Sequence, residues 1–247
     1  MRSLLRGVGL LLLALLALQL YFVVRIAAMA VVAPESTTFE RSEAWRIATE
    51  KGNLPWRQQW VPYAQISDQL KRAVIASEDD GFGSHGGVDW EAVQKAWDKN
   101  AKAEQRAAAR KPVNPQAATG AAKPPKIVGG STITQQLAKN LFLAGERTLL
   151  RKGQELVVTL LLEQFLSKER ILEIYLNHVE WGEGVFGAEA AAQHYFRKPA
   201  AKLNAYESAR LAVMLPRPKF FEKTPNSGYL SSRAGVIVGR MGDAQLP

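Results

Sequence analysis

A chain of 247 residues, 47% of them apolar, is long enough for one large domain or two small ones and can bury a core, which excludes wholesale disorder. The absence of cysteine excludes disulfides and thiolate zinc sites, and His85, His178 and His194 are too scattered to suggest a metal centre. A formal charge of +9 points to an anionic partner, whether nucleic acid, an anionic membrane face or a phosphorylated substrate, without choosing among them.

The N-terminus narrows that choice. Arg2 and Arg6 precede an uncharged run from Gly7 to Val24, and after a lone Arg25 the apolar character resumes to Ala33. About 20 apolar residues cross a bilayer, whereas a signal h-region is roughly 7–15 long. Residues 1–33 are therefore expected to form a short cytoplasmic stub and a transmembrane anchor, with cleavage after the small-x-small string Ala28-Met29-Ala30 as the alternative. The leading arginines put that end in the cytoplasm, so residues 34–247 are expected on the outer, periplasmic side of the inner membrane. Export argues against a nucleic-acid partner.

From Pro34 to Tyr63 the mixed sequence, with Trp45, Trp56 and Trp60, reads as a short wrapping segment. Ser67 suits the N-cap of a helix through DQLKRAVIASED, which Gly81 ends. Leu70, Val74 and Ile75 form its inner stripe, and Glu78 falls at the edge of that face in the last turn. Across residues 99–126, alanine, lysine, arginine and proline dominate and bulky apolar residues are almost absent. Such a stretch cannot bury enough surface to offset its ordering entropy and is expected to be a mobile basic insert. A short amphipathic helix plus linker is the alternative for its first half.

Order returns at GGSTITQQLAKNLFL, where Thr132 and Gln135 make a capping-box pattern ahead of inward Ile133, Leu137, Leu141 and Phe142. TLLRKGQELVVTLLLEQFL reads as a further helix, and Ser167 caps another through KERILEIYLN. A glycine-rich turn, WGEGVFG, leads into AEAAAQHYF, and Asn204 with Glu207 caps one more helix, which Pro216 ends. With no convincing alternating strand run, the expected fold class is mainly α.

Gly182 to Gly187 match G-x-G-x-x-G, but a helix precedes them and no βαβ unit surrounds them, so a corner between helices is the better reading. Glu78 meets the negative end of its helix dipole in apolar surroundings, and Asp79 and Asp80 add like charge. These influences favour a raised pKa, suited to a general base; the plainer reading is a solvated acidic helix end. The turn Gly129-Gly130-Ser131-Thr132 could offer N–H groups to a phosphate oxygen or simply cap its helix. Lys139 projects from the polar side of that helix, in line with Gln135, and Arg147, Arg151 and Lys152 follow closely. Glu155 lies four residues after Arg151 and three after Lys152, as a surface ion pair or as a carboxylate orienting the cations. His85 suits packing or hydrogen bonding better than metal ligation.

Four strings in order, spanning roughly residues 45 to 220, together resemble the peptidoglycan glycosyltransferase family. SEDDGFGSHGGVDW is similar to the family's E-D-x-x-F…H-x-G-x-D motif through Glu78, Asp79, Phe82, His85, Gly87 and Asp89, and GGSTITQQLAKN is a close match over its length. RKGQELVVTLLLEQFLSKERILEIYLN carries R-K-x-x-E and I-L-E-x-Y-L-N, and WGEGVFGAEAAAQHYF precedes ESARLAVMLPRP. Neither Ser-x-x-Lys nor Lys-Thr-Gly occurs, so no transpeptidase half is expected, and the chain resembles the monofunctional biosynthetic transglycosylases.

The resemblance implies a lysozyme-like helical lobe, a smaller membrane-proximal lobe, and lipid II as substrate, a disaccharide-peptide on undecaprenyl diphosphate. It assigns Glu78 as the base and Glu155 as a second important glutamate. Lys139, Arg147 and Lys152 would hold the diphosphate, Gln135, Gln136 and Asn140 would line the sugar site, and Asp79, Phe82, His85, Ser131, Thr132 and Arg151 are further substrate-binding candidates. It further implies an optional divalent cation (magnesium or manganese) at the diphosphate, with no organic cofactor. Its implied partners are the growing lipid-linked glycan, the membrane and, as candidates, crosslinking cell-wall synthases. Two departures stand out: the long basic insert lacks the apolar residues of a membrane-dipping lobe, and Arg197 stands where glycine is common after Tyr-Phe. A lytic, glycan-cleaving enzyme and a non-enzymatic membrane protein that binds anionic lipid or polymer are the rival readings.

Overall fold

The computed structural model describes residues 2–109, 130–143 and 148–247. The first helix, α1 (Arg2–Ala28), is long and apolar enough to cross a membrane. Its 27 residues reach about 40 Å at 1.5 Å per residue, more than the ~30 Å hydrocarbon core. Its last turns accordingly pack on protein. Phe22, Ile26 and Met29 are buried, the Phe22 ring meets the edge of Phe142 at 5.2 Å, and Gln19 Nε2 donates to Gln154 Oε1 at 3.1 Å.

The segment read as wrapping chain contains a helix, α2 (Thr38–Lys51), closed by a Thr37–Glu40 capping box and a left-handed Gly52. Only Glu40 and Ile47 of this helix are buried, so its sequence carries almost no apolar periodicity. Glu40 is held instead by polar contacts: its Oε1 accepts from Gln58 Nε2 and lies 2.7 Å from His178 Nδ1, while His178 Nε2 lies 3.1 Å from the Pro34 carbonyl. One buried histidine thus ties the chain leaving the anchor to the helical core.

The core is built as the sequence pattern expects. In α3 (Asp68–Glu78), capped by Ser67, the stripe Leu70, Val74 and Ile75 is buried. In α5 (Ile133–Phe142), Ile133, Leu137 and Leu141 face inward. Thr148 caps α6 (Leu149–Phe165) and Ser167 caps α7 (Lys168–His178). Between α3 and α5 runs α4 (Trp90–Ala109), so residues 99–109 are helical rather than loose chain. Residues 110–126 of the expected basic insert lie outside the described residues. The apolar surface of this lobe comes just before the insert, where Trp90 and Trp97 are 69% and 75% exposed.

WGEGVFG is a β-hairpin and not a corner between helices. Strand β2 (Glu180–Gly182) pairs antiparallel with β3 (Val185–Phe186), and β1 (Arg57–Gln58) adds parallel to β3, in the order β1-β3-β2. Strands of two or three residues, buried on both faces, leave no alternation to read. Gly184 at φ 72° makes the turn, and a Cβ there would overlap the Pro55 carbonyl. Helices α8 (Ala188–Phe196), α9 (Ala205–Met214), α10 (Pro218–Glu222) and α11 (Gly228–Arg240) complete the lobe, with α9 packed against α3 and α11.

Arg197 is the left-handed C-cap of α8, at φ 58°. That conformation suits glycine, which explains what stands in its place elsewhere in the resemblance. Replacing Arg197 by Gly should raise stability by about 1 kcal/mol, whereas Gly184→Ala should cost about 2 kcal/mol or more. At roughly 2–4 °C per kcal/mol for a domain this size, thermal unfolding in detergent separates the two, and equal melting temperatures would contradict the assignment.

Candidate active site

The C-terminus of α3 and the N-terminus of α5 meet through Asp79. Its Oδ2 accepts the Ile133 N–H at 2.9 Å, and its Oδ1 lies 2.8 Å from His85 Nε2, while His85 Nδ1 accepts the Gly87 N–H. The Thr132 hydroxyl donates to the Gly87 carbonyl at 2.6 Å and accepts from the Gln135 N–H, and Gln135 Oε1 accepts the Thr132 N–H. The capping box therefore forms as its spelling requires, and Asp79, His85, Thr132 and Gln135 act on one another. Three N–H groups that the turn could have offered a phosphate are thereby occupied, so it serves chiefly as a cap. Phe82 is fully buried under the Lys168 ammonium, 4.6 Å from its ring centroid, and faces the core rather than a substrate.

Held in this frame, Glu78 reaches a cleft of about 190 Å³, lined also by Asp79, Asp80, Asp89, Ser131 and Arg240. Gln136 Nε2 donates to Glu78 Oε2 at 3.0 Å, and the buried Tyr175 hydroxyl donates to Gln136 Oε1 at 3.0 Å. Tyr175 fixes which end of the amide faces the carboxylate. Burial raises the Glu78 pKa above its ordinary value and the Asp79 charge adds to this, while hydrogen bonds from Gln136 and Ser77 oppose it. The other carboxylates of the cleft each have a partner: Asp79 as above, Asp80 an exposed pair with Arg240 at 3.1 Å, and Asp89 the Ala92 N–H at 2.8 Å.

The cations gather farther along α5. Lys139 follows Gln136 by three residues, hence on the same face and about 4.5 Å further along the axis. Across from it on α6, Arg151 Nη1 bonds Glu155 Oε2 at 2.9 Å and Lys152 bonds the other oxygen of this buried carboxylate. Although Lys139 reaches solvent, the protein around it pushes its ammonium below the ordinary lysine value, Arg151 and Lys152 add repulsion, and Glu155 opposes them. The buried Arg151 Nε has no hydrogen-bond partner among the described residues. Asn140 is half-buried beside Lys139, and Arg147 lies outside the described residues. Both Glu155 oxygens are engaged by cations, so this set does not fit a divalent ion held by protein ligands alone.

Sequence reasoning did not find the relay from Tyr175 through Gln136, nor Arg240 at the cleft. Tyr175 lay within a motif already noted, but its partner is 39 residues away, and no local pattern joins them. Arg240 belongs to α11, beyond the last helix read from the sequence.

Compared with known proteins, the chain matches the family described as Transglycosylase over residues 47–109 and 113–242. It is 53% identical over 234 residues to proteins named biosynthetic peptidoglycan transglycosylase from Burkholderia thailandensis and Burkholderia pseudomallei, covering 95% of this chain and 84% of each relative. A protein of the same name from Burkholderia ambifaria is 51% identical over 95% of this chain and 87% of its own length. With that family match running through nearly all of the helical lobe, and relatives more than half identical along almost the whole chain, the chain belongs to the transglycosylase family.

Proposed function

We propose that this enzyme polymerises lipid II into β-1,4 glycan strands of peptidoglycan, with Glu78 as general base and the Lys139–Arg151–Lys152 group receiving the diphosphate. The observation that carries this reading is the run of α5 from Gln136, which holds Glu78, to Lys139, which heads the cations. In the step proposed, the acceptor 4-hydroxyl oxygen attacks C1 of the donor sugar as Glu78 takes its proton. The bond from C1 to the phosphate oxygen breaks, and undecaprenyl diphosphate leaves. Attack opposite the leaving group inverts an α-linked donor to a β product.

The charges favour transfer over cleavage. Glycosidases commonly set a second carboxylate to work as acid, base or nucleophile, because a sugar alcohol leaves poorly. Here the other carboxylates lining the cleft are tied to partners, and Glu155 is held between two cations. A lipid diphosphate needs its growing negative charge held rather than a proton supplied, which preorganised cations do. Anchoring by α1 confines the enzyme to the plane in which a lipid-linked substrate diffuses; the reading puts the lobe on the periplasmic face of the inner membrane. Glu155 keeps Arg151 and Lys152 aimed rather than reacting itself.

Glu78→Gln should lower glycan polymerisation by at least about 100-fold, the usual worth of a general base, with the helical circular dichroism unchanged. Sizing of products from lipid II is the measurement, and more than a tenth of wild-type rate would remove Glu78 from this role. A base must be ionised, so activity should rise with pH through a midpoint above the ordinary carboxylate range. Loss of the Lys139 proton, at a pH below the ordinary lysine value, should set the alkaline limb. Lys139→Arg, with a group that stays protonated beyond about pH 12, should move that limb upward. An unmoved limb would detach Lys139 from the diphosphate.

A further inference from the structure

Where α1 leaves the bilayer it does not pack flush against the lobe. A cavity of about 230 Å³ opens between the last turns of α1, the residues before and within α2, and the end of α5. Tyr21, Phe22 and Phe142 form its apolar side, and Arg25 and Arg41 its charged side. Arg41 is aimed by neutral groups: Nη1 donates to the Ser36 hydroxyl at 2.9 Å and the Ser36 carbonyl at 3.2 Å, and Nη2 donates to the Thr38 hydroxyl at 3.1 Å. Neither guanidinium pairs with a carboxylate among the described residues, whereas Arg46, Arg151 and Arg170 each do. Both side chains are exposed, as are Leu18 and Tyr21 below them on the face of α1 that lipid would touch.

From this the geometry points to a binding site for an anionic phospholipid, separate from the catalytic cleft. Arg25 and Arg41 would grip the phosphodiester, and Leu18, Tyr21 and Phe22 would lie along the first carbons of the acyl chains. Guanidinium suits this task because its planar fork bonds phosphate oxygens in pairs. The position suits it as well: Arg25 directly follows the uncharged run that ends at Val24, and so stands at headgroup depth. Basic pockets between transmembrane helices on the cytoplasmic side take lipid headgroups, and the same pairing of guanidinium with phosphate would operate here at the outer end of α1. A bound lipid would wedge the anchor against α2 and α5 and so fix the height of the lobe above the bilayer. The inference rests on α1 lying in a membrane, as proposed above, and not on the reaction.

The test uses the full chain in nanodiscs of phosphatidylcholine and phosphatidylglycerol, released gently into detergent and weighed by native mass spectrometry. Wild type should retain phosphatidylglycerol in preference to phosphatidylcholine. The R25Q/R41Q pair should retain at least about tenfold less, given what a charge-assisted hydrogen bond contributes. R2Q/R6Q, which removes the same charge at the other end of α1, should retain it as wild type does. Equal retention by R25Q/R41Q would overturn the proposal, and so would equal retention of the two lipids by wild type, which needs no variant. Displacement of the lipid one for one by undecaprenyl diphosphate would assign the pocket to the substrate's lipid instead. The readout is independent of turnover, so failure of the polymerase reading leaves it standing.

Discussion

The amide of Gln136 donates to Glu78 while accepting from Tyr175, and this short relay decides where the proposed base stands relative to α5. Because Lys139 follows one turn later on the same helix, the distance from base to cations is set by backbone geometry that side chains cannot easily alter. The rest of the lobe keeps that helix in place. Asp79 locks its first turn to the end of α3, Thr132 locks it to Gly87 in the loop that follows, and Leu137 and Leu141 bury its far side.

The same arrangement accounts for the two unlike glutamates. Glu78 is partly buried beside the Asp79 charge, with no cation bonded to it among the described residues, so its proton affinity rises, as the proposed base role requires. Glu155 is more deeply buried yet bonded to Arg151 and Lys152, so its charge serves to aim theirs. One carboxylate without a cation and one held by two suits the proposed displacement of a diphosphate, whereas hydrolysis commonly uses two carboxylates free to act.

Much of this was legible in the chain because the signals are local. The caps at Ser67, Thr132, Ser167 and Asn204 and the apolar stripes they precede are spelled within a few residues of one another, and each helix starts where its cap stands. What escaped was held by distant or polar contacts. Helix α2 buries Glu40 and Ile47 alone and is secured through His178, far along the chain. The hairpin at Glu180–Phe186 is too short to alternate; of the glycines matching a nucleotide turn, Gly184 and Gly187 take positive φ and Gly182 leaves room for Glu222 and Tyr195. Of the site, residue types and order could be read, but the contacts that build Asp79 and Gln135 into the frame, bury Phe82 and leave Glu78 at the cleft and Lys139 at the surface could not.

A single helix, α5, is proposed to space the proton acceptor from the groups that receive the diphosphate. A structure of the detergent-solubilised protein with an unreactive lipid II analogue tests it most directly. The diphosphate should lie against Lys139 and the α6 cations, with the acceptor 4-hydroxyl within hydrogen-bond reach of Glu78. A diphosphate bound away from the last turns of α5, or a hydroxyl turned from Glu78 toward another carboxylate, would contradict it.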